Sequence, residues 1–134
     1  MISSNLYVFL LVLCILIQAT FGYLSEPHPP FVITSPTQDT TIKRGDSLNV
    51  TWQLTPGVRY PIYGYAAAST TQTIIGLLSP DARRDERYIY KVDSNIKLSD
   101  HNYAWTVDEQ TEPGDYRIGI GFYYNEASPI IHII

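Results

Sequence analysis

The sequence predicts an all-β domain of two packed sheets, and three observations carry that expectation. Short runs of alternating apolar and polar residues recur from Phe31 to Ile133. Turn-forming residues separate these runs roughly every ten positions, the spacing of a sandwich or barrel. No stretch sustains the apolar period of an amphipathic helix. Together these features predict a β-sandwich of about seven to eight antiparallel strands.

Ahead of that domain lies an apolar run, Leu6 to Ile17. It is about a dozen residues long, whereas a helix crossing a bilayer core needs about 20. Its length matches the hydrophobic region of an export signal. Thr20 and Gly22 sit three and one positions before a cut between Gly22 and Tyr23, so residues 1–22 read as a signal peptide. The alternative is an uncleaved anchor, since Met1 to Asn5 carries no Lys or Arg. Cleavage predicts a secreted, extracellular chain with no stable membrane insertion. It also removes Cys14, the one cysteine. The mature domain then has no disulfide and must be stabilised by its core alone. Residues 23–30 contain Glu26-Pro27-His28-Pro29-Pro30, an extended leader, because proline fixes φ and lacks a donor. The sandwich occupies residues 31–134.

Within it, Phe31 to Thr34 and Thr41 to Lys43 are short strand signals. Ser47 to Leu54 is the clearest strand. Leu48, Val50, Trp52 and Leu54 share one face, with Asn49, Thr51 and Gln53 on the other. Residues 55–72 read either as a strand with a long loop or as a loop throughout. Thr73 to Leu78 and Arg87 to Val92 flank a charged tip, Asp81 to Arg87, expected to be solvated. Asn102 to Val107 points Tyr103, Trp105 and Val107 inward. Tyr116 to Phe122 points Tyr116, Ile118, Ile120 and Phe122 inward, with Arg117, Gly119 and Gly121 opposite. Ile130 to Ile133 closes the domain. Trp52, Trp105, Tyr116 and Ile118 form the expected structural core.

Several function classes are disfavoured by composition. Nine Lys and Arg against thirteen Asp and Glu give a formal net charge of −4. The longest basic run, Arg83-Arg84, is surrounded by Asp81, Asp85 and Glu86, which leaves no clustered positive face for nucleic acid. His28, His101 and His132 are too dispersed to suggest a metal-ligand set. No phosphate loop or nucleophile elbow appears, and no cofactor is expected. A glycosidase needs two facing carboxylates about 5–9.5 Å apart. The acids here, Asp81, Asp85, Glu86, Asp108, Glu109, Glu112 and Asp115, fall in turns that account for them. The expectation is a domain that binds rather than catalyses.

The candidate ligand contacts are Tyr60, Tyr63, Tyr65, Tyr123 and Tyr124, which lie outside the clearest core faces. Aromatic faces suit the C–H surfaces of sugars, and tyrosine adds a hydroxyl at low entropy cost. The alternative is scattered surface tyrosine. Asn49-Val50-Thr51 is a glycosylation acceptor pattern, and strand parity turns Asn49 to solvent. Its alternative is an unmodified polar residue on an exposed strand.

Glu112-Pro113-Gly114-Asp115-Tyr116 has the spacing of a tyrosine corner, in which the phenol bonds back to nearby backbone. That makes the predicted sandwich immunoglobulin-like, with Ile118 standing where antibody domains place their second cysteine. Five ordered motifs resemble one family, the fungal secreted domain at the N-terminus of cell-wall synthesis proteins and of Ser/Thr-rich, glycolipid-anchored wall proteins. They are Ile33-Thr34-Ser35-Pro36, Gly45-Asp46-Ser47-Leu48-Asn49-Val50-Thr51-Trp52, Tyr103-Ala104-Trp105-Thr106-Val107, Pro113-Gly114-Asp115-Tyr116-Arg117-Ile118-Gly119-Ile120 and Ser128-Pro129-Ile130-Ile131-His132-Ile133. The resemblance covers roughly residues 31 to 133. It departs from the family in a longer segment between Leu54 and Thr73, and in lacking a Ser/Thr-rich stalk and anchor signal after the last strand. It implies a role in β-1,6-glucan organisation in the cell wall, with no defined catalytic residues. The partners it implies are cell-wall polysaccharide or a surface glycoprotein. A second reading is a secreted protein–protein interaction module acting at a cell surface.

Overall fold

The computed structural model describes residues 28–67 and 71–134, together with Val8. Apart from Val8, the segment expected to be a signal peptide, including Cys14, lies outside the described residues, as does most of the expected leader. Alternation builds the first layer. In β3, Ser47–Leu54, Val50 and Trp52 are buried while Asn49 and Gln53 are exposed. On either side of β3 lie β1, Phe31–Ser35, and β6, Asn102–Thr106, both antiparallel to it. Ile33 stands opposite Trp52, and Leu48 opposite Trp105. Leu48, Leu54 and Tyr103 are only half-buried, at the margin of the core rather than inside it.

The second layer has β7, Gly114–Ile120, at its centre. On one side β7 pairs with β4, Gln72–Leu78, which in turn pairs with the edge strand β5, Tyr90–Lys97. On the other side β7 meets β8, Glu126–Ala127, and then β9, Ile131–Ile133. Ser128 bridges these two pieces: the Ile118 N–H donates to its hydroxyl at 2.8 Å, and its own N–H donates to the Ile118 carbonyl. The outermost strand is β2, Thr41–Ile42, parallel to β9. One sheet thus runs β1-β3-β6 and the other β2-β9-β7-β4-β5. Two facing sheets in this order, with Greek-key crossovers between them, make an immunoglobulin-like sandwich.

Between the layers lies one core. Trp52, Trp105, Tyr116 and Ile118 all belong to it, with Phe31, Leu77, Ile120 and Ile131 among their neighbours. The Trp52 indole N–H donates to the Leu98 carbonyl at 2.8 Å, in the 3-10 turn Leu98–Asp100, so its polar edge is satisfied inside the core. The Tyr116 phenol donates to the Glu112 carbonyl at 2.6 Å, the backward bond of a tyrosine corner.

Three expectations are corrected. The strand expected at Arg87 to Val92 begins at Tyr90 and runs on to Lys97. The strand expected to reach Phe122 stops at Ile120, and Phe122 is 43% exposed rather than inward. Gly121 ends the alternation there: a Cβ on it would lie 1.8 Å from the Tyr124 carbonyl oxygen, so the chain turns sharply over itself. The short strand at Thr41 ends at Ile42. Of the two readings of the segment after β3, the loop holds for residues 55–67, with one isolated bridge between Tyr63 and Ala66; the loop seals the core with Ile62, Tyr65 and Ala66.

Candidate binding groove

The outer face of the second sheet carries a trough made by glycine. Gly76 on β4 and Gly119 on β7 stand directly opposite each other and point away from the core. The Tyr88 ring fills the space they leave. A Cβ on Gly76 would lie 2.6 Å from that ring and 2.6 Å from the Tyr90 carbonyl oxygen. The Tyr88 hydroxyl donates to the Gly121 carbonyl at 2.8 Å, and burial pushes its pKa well above the ordinary phenol value. Residues 79–89 form a strap laid across the sheet; within it Asp81 to Arg87, expected as a solvated tip, is largely exposed. Arg117 ties its start by donating to the Pro80 carbonyl at 2.8 Å. Asn125 ties its middle: its backbone N–H donates to the Arg84 carbonyl and its side-chain amide to the Glu86 carbonyl.

Where the strap meets the turn after β7, a groove of about 570 Å³ opens. It is lined by Ile74 and Tyr88, by the charged residues Asp85, Glu86, Arg87 and Lys91, and by Phe122 and Tyr123. The two aromatic rings stand edge to face, 4.9 Å apart and 82° between planes. Tyr123 is 72% exposed, and its contact with Phe122 gives the ring an aromatic neighbour at the surface.

The five predicted tyrosines divide between this neighbourhood and the interior. The Gly64 carbonyl accepts from both the Tyr123 and Tyr124 N–H groups, at 2.7 and 2.9 Å, which joins the β3–β4 loop to the turn after β7. Tyr63 is exposed next to that junction, as is Tyr124. Tyr65 is corrected. It is buried, packs edge to face on Phe31, and donates its hydroxyl to Glu126 at 2.8 Å, so it has no face left for a ligand. Tyr60 packs half-buried against the core. Its hydroxyl is enclosed with no hydrogen-bond partner among the described residues, and that burial raises its pKa.

Sequence reasoning passed over Phe122, Tyr88 and the Glu126 site. Arg84 lies over the Tyr65 ring at 5.6 Å and donates to Glu126 at 3.1 Å. Burial raises the Glu126 pKa, and the Arg84 charge partly opposes that rise. A partial signal was present in Gly76 and Gly119, since a glycine inside a strand marks the close approach of another segment, but nothing local says which segment.

A third cluster sits at the far edge of the same sheet. His132 on β9 holds Asp115 through Nδ1 at 2.6 Å and Asp39 through Nε2 at 2.9 Å. These hydrogen bonds, the one to Asp115 first, raise the histidine pKa above its ordinary value. With both ring nitrogens engaged by carboxylates, the imidazole works as a clamp between strand ends. No group of three or more metal-ligating side chains occurs among the described residues, and no helix there is long and apolar enough to cross a membrane. Asn49 stands exposed on the outer face of the other sheet.

Fold and groove together define an immunoglobulin-like β-sandwich module with an aromatic-walled surface groove. No protein-family model matches the chain, and no curated protein matches it. Among solved structures it is similar to the fibronectin(III)-like modules of Clostridium thermocellum CbhA. That match has 12% identity and a TM-score of 0.39, and covers 77% of this chain and 93% of the other.

Proposed function

We propose that this chain is a secreted, non-catalytic module that binds cell-wall polysaccharide of the β-glucan class through the groove between the strap and the Phe122–Tyr123 turn. The observation that carries the reading is the exposed Tyr123 ring, packed edge to face with Phe122, lining the same surface groove as carboxylate, guanidinium and ammonium groups. An aromatic face packs against the C–H surface of a pyranose, and charged side chains at its rim accept and donate to vicinal hydroxyls. The groove's mixed charge, two acids and two bases, suits a neutral chain better than an anionic one. The export signal and the ordered motifs of the sequence support a location at the wall.

The test is calorimetric titration of the folded domain with soluble β-1,6- and β-1,3-glucan oligosaccharides. Binding in the millimolar to micromolar range is expected, about −4 to −8 kcal/mol. Tyr123→Ala should weaken it about tenfold or more while leaving the thermal midpoint unchanged. Absence of binding across the panel would overturn the reading. A second reading, a protein–protein module, is favoured by the continuity of Tyr63, Phe122, Tyr123 and Tyr124 as exposed aromatics around one junction. Crosslinking that captures a defined protein partner through these residues, without glycan binding, would establish that reading instead.

A further inference from the structure

The outer face of the three-stranded sheet is built from uncharged side chains. It presents Val32 and Thr34 from β1, Ser47, Asn49, Thr51 and Gln53 from β3, and Asn102, Ala104 and Thr106 from β6. None of these is charged, and most are short. Asn49 lies at its centre, opposite Ala104 on β6, with exposed Ser47 and Thr106 joined by a hydrogen bond nearby. The side chain of Asn49 thus has an open, uncharged platform around it. The two residues after it complete the acceptor pattern Asn-x-Thr.

In the folded domain this pattern is locked. β3 is the central strand of its sheet and is paired on both sides. The Asn49 carbonyl accepts from the Ser35 hydroxyl at 3.1 Å, and the Thr51 hydroxyl is bound to the Thr34 hydroxyl at 2.7 Å. An enzyme that must draw the tripeptide into its own active site, and use the threonine hydroxyl, cannot do so without tearing β3 out of the sheet. During synthesis the position is open. β6 follows β3 some fifty residues later, which at about 5–20 residues per second is on the order of 3–10 s. Through that interval β3 has a free edge and no closed core behind it.

From this we infer that Asn49 is an N-glycosylation site, filled while the chain is being translocated and before β6 closes the sheet. The inference rests on the secretory part of the proposed function. The oligosaccharide would cover the uncharged face and leave the groove free, since Asn49 and the groove lie on opposite outer faces of the sandwich. It would thereby restrict recognition to the side of the sandwich on which the groove opens.

The experiment is expression of the full chain in a eukaryotic secretory host, behind its own leader and, in parallel, behind an added heterologous leader. Intact mass and peptide mapping are read before and after treatment with an N-glycosidase, which leaves aspartate at a formerly glycosylated asparagine. A glycan mass is expected at Asn49, absent in Asn49→Gln and Thr51→Ala and retained in Thr51→Ser. Folded unmodified protein, incubated with the transferase and its lipid-linked donor, should stay unmodified. Enzymatic removal of the glycan should change glucan affinity by less than about twofold. Chain secreted with bare Asn49 would overturn the inference while leaving the export reading intact. Glycan added only behind the heterologous leader would support the site and overturn the native export signal. Efficient modification of the prefolded domain would overturn the timing.

Discussion

At the residue scale, two hydrogen-bonded side chains set quantities that can be measured. The Tyr116 phenol closes its corner with a single bond to the Glu112 carbonyl. Tyr116→Phe keeps the ring and removes the bond, so a loss of about 0.5–1.5 kcal/mol is expected, read as a lower denaturant midpoint at unchanged slope. His132 adds a dependence on pH. Its folded pKa is raised by Asp115 and Asp39, so protons bind the folded state more tightly than the unfolded one. The stabilisation is full below the unfolded value, about pH 6.5, and is lost as pH rises through the raised folded value. The thermal midpoint should therefore fall between mildly acidic and mildly alkaline buffers, and the fall should shrink in the Asp39→Asn, Asp115→Asn double variant. Asn suits position 39, where φ is 61°. The candidate site was partly legible at this scale. Tyr63, Tyr123 and Tyr124 are on the surface, whereas Tyr65 is not, because side-chain parity is undefined in a loop and tertiary packing decided it. Phe122 was placed inward by carrying strand alternation one residue past Gly121.

Among the elements, strands with one buried face were legible and those without were not. β3 and β6 alternate cleanly because one side faces the core and the other water. β5 is an edge strand with bulges against β4, and its burial pattern lacks that alternation, so its start was placed too early. The strap escaped notice because its anchor is non-local: Tyr88 rests on glycines from two other strands. This makes Gly76 a sensitive position. Gly76→Ala would press a methyl against both the Tyr88 ring and the Tyr90 carbonyl, and the backbone contact cannot yield as a side chain can. A cost of about 1–3 kcal/mol is expected. Faster hydrogen exchange at the Asn125 amide, which is bonded to the strap, would report its release. Gly57→Ala is the control. Nothing lies within 4 Å of its Cβ position, so only the strain of its φ of +87° should register, about 1–2 kcal/mol, with Asn125 exchange unchanged.

For the molecule as a whole, stability rests on a core without a sulfur bridge among the described residues. The tryptophans carry a large share of it. Trp105→Ala should cost about 3–5 kcal/mol, a substantial part of the roughly 5–15 kcal/mol that holds a domain folded. Trp52→Ala should cost at least as much, because it also leaves the Leu98 carbonyl without its indole partner. Chemical denaturation followed by tyrosine fluorescence measures both. The sandwich class was legible because its determinants, alternation, turn spacing and the corner motif, are local in the chain. The groove was not, since it exists only once the strap crosses two strands.

One feature of the pairing has a mechanical consequence. The chain enters beside Thr55, whose N–H and hydroxyl bind the carbonyls of Pro30 and Pro29, and leaves beside Arg44, whose N–H binds Ile134. Those points lie at opposite ends of β3, so a stretching load applied through the two termini runs along the strands. Because β2 and β9 lie parallel, such a load pulls their shared hydrogen bonds in shear, all at once, instead of unzipping them in turn. A domain paired in this way resists being drawn out from its two ends.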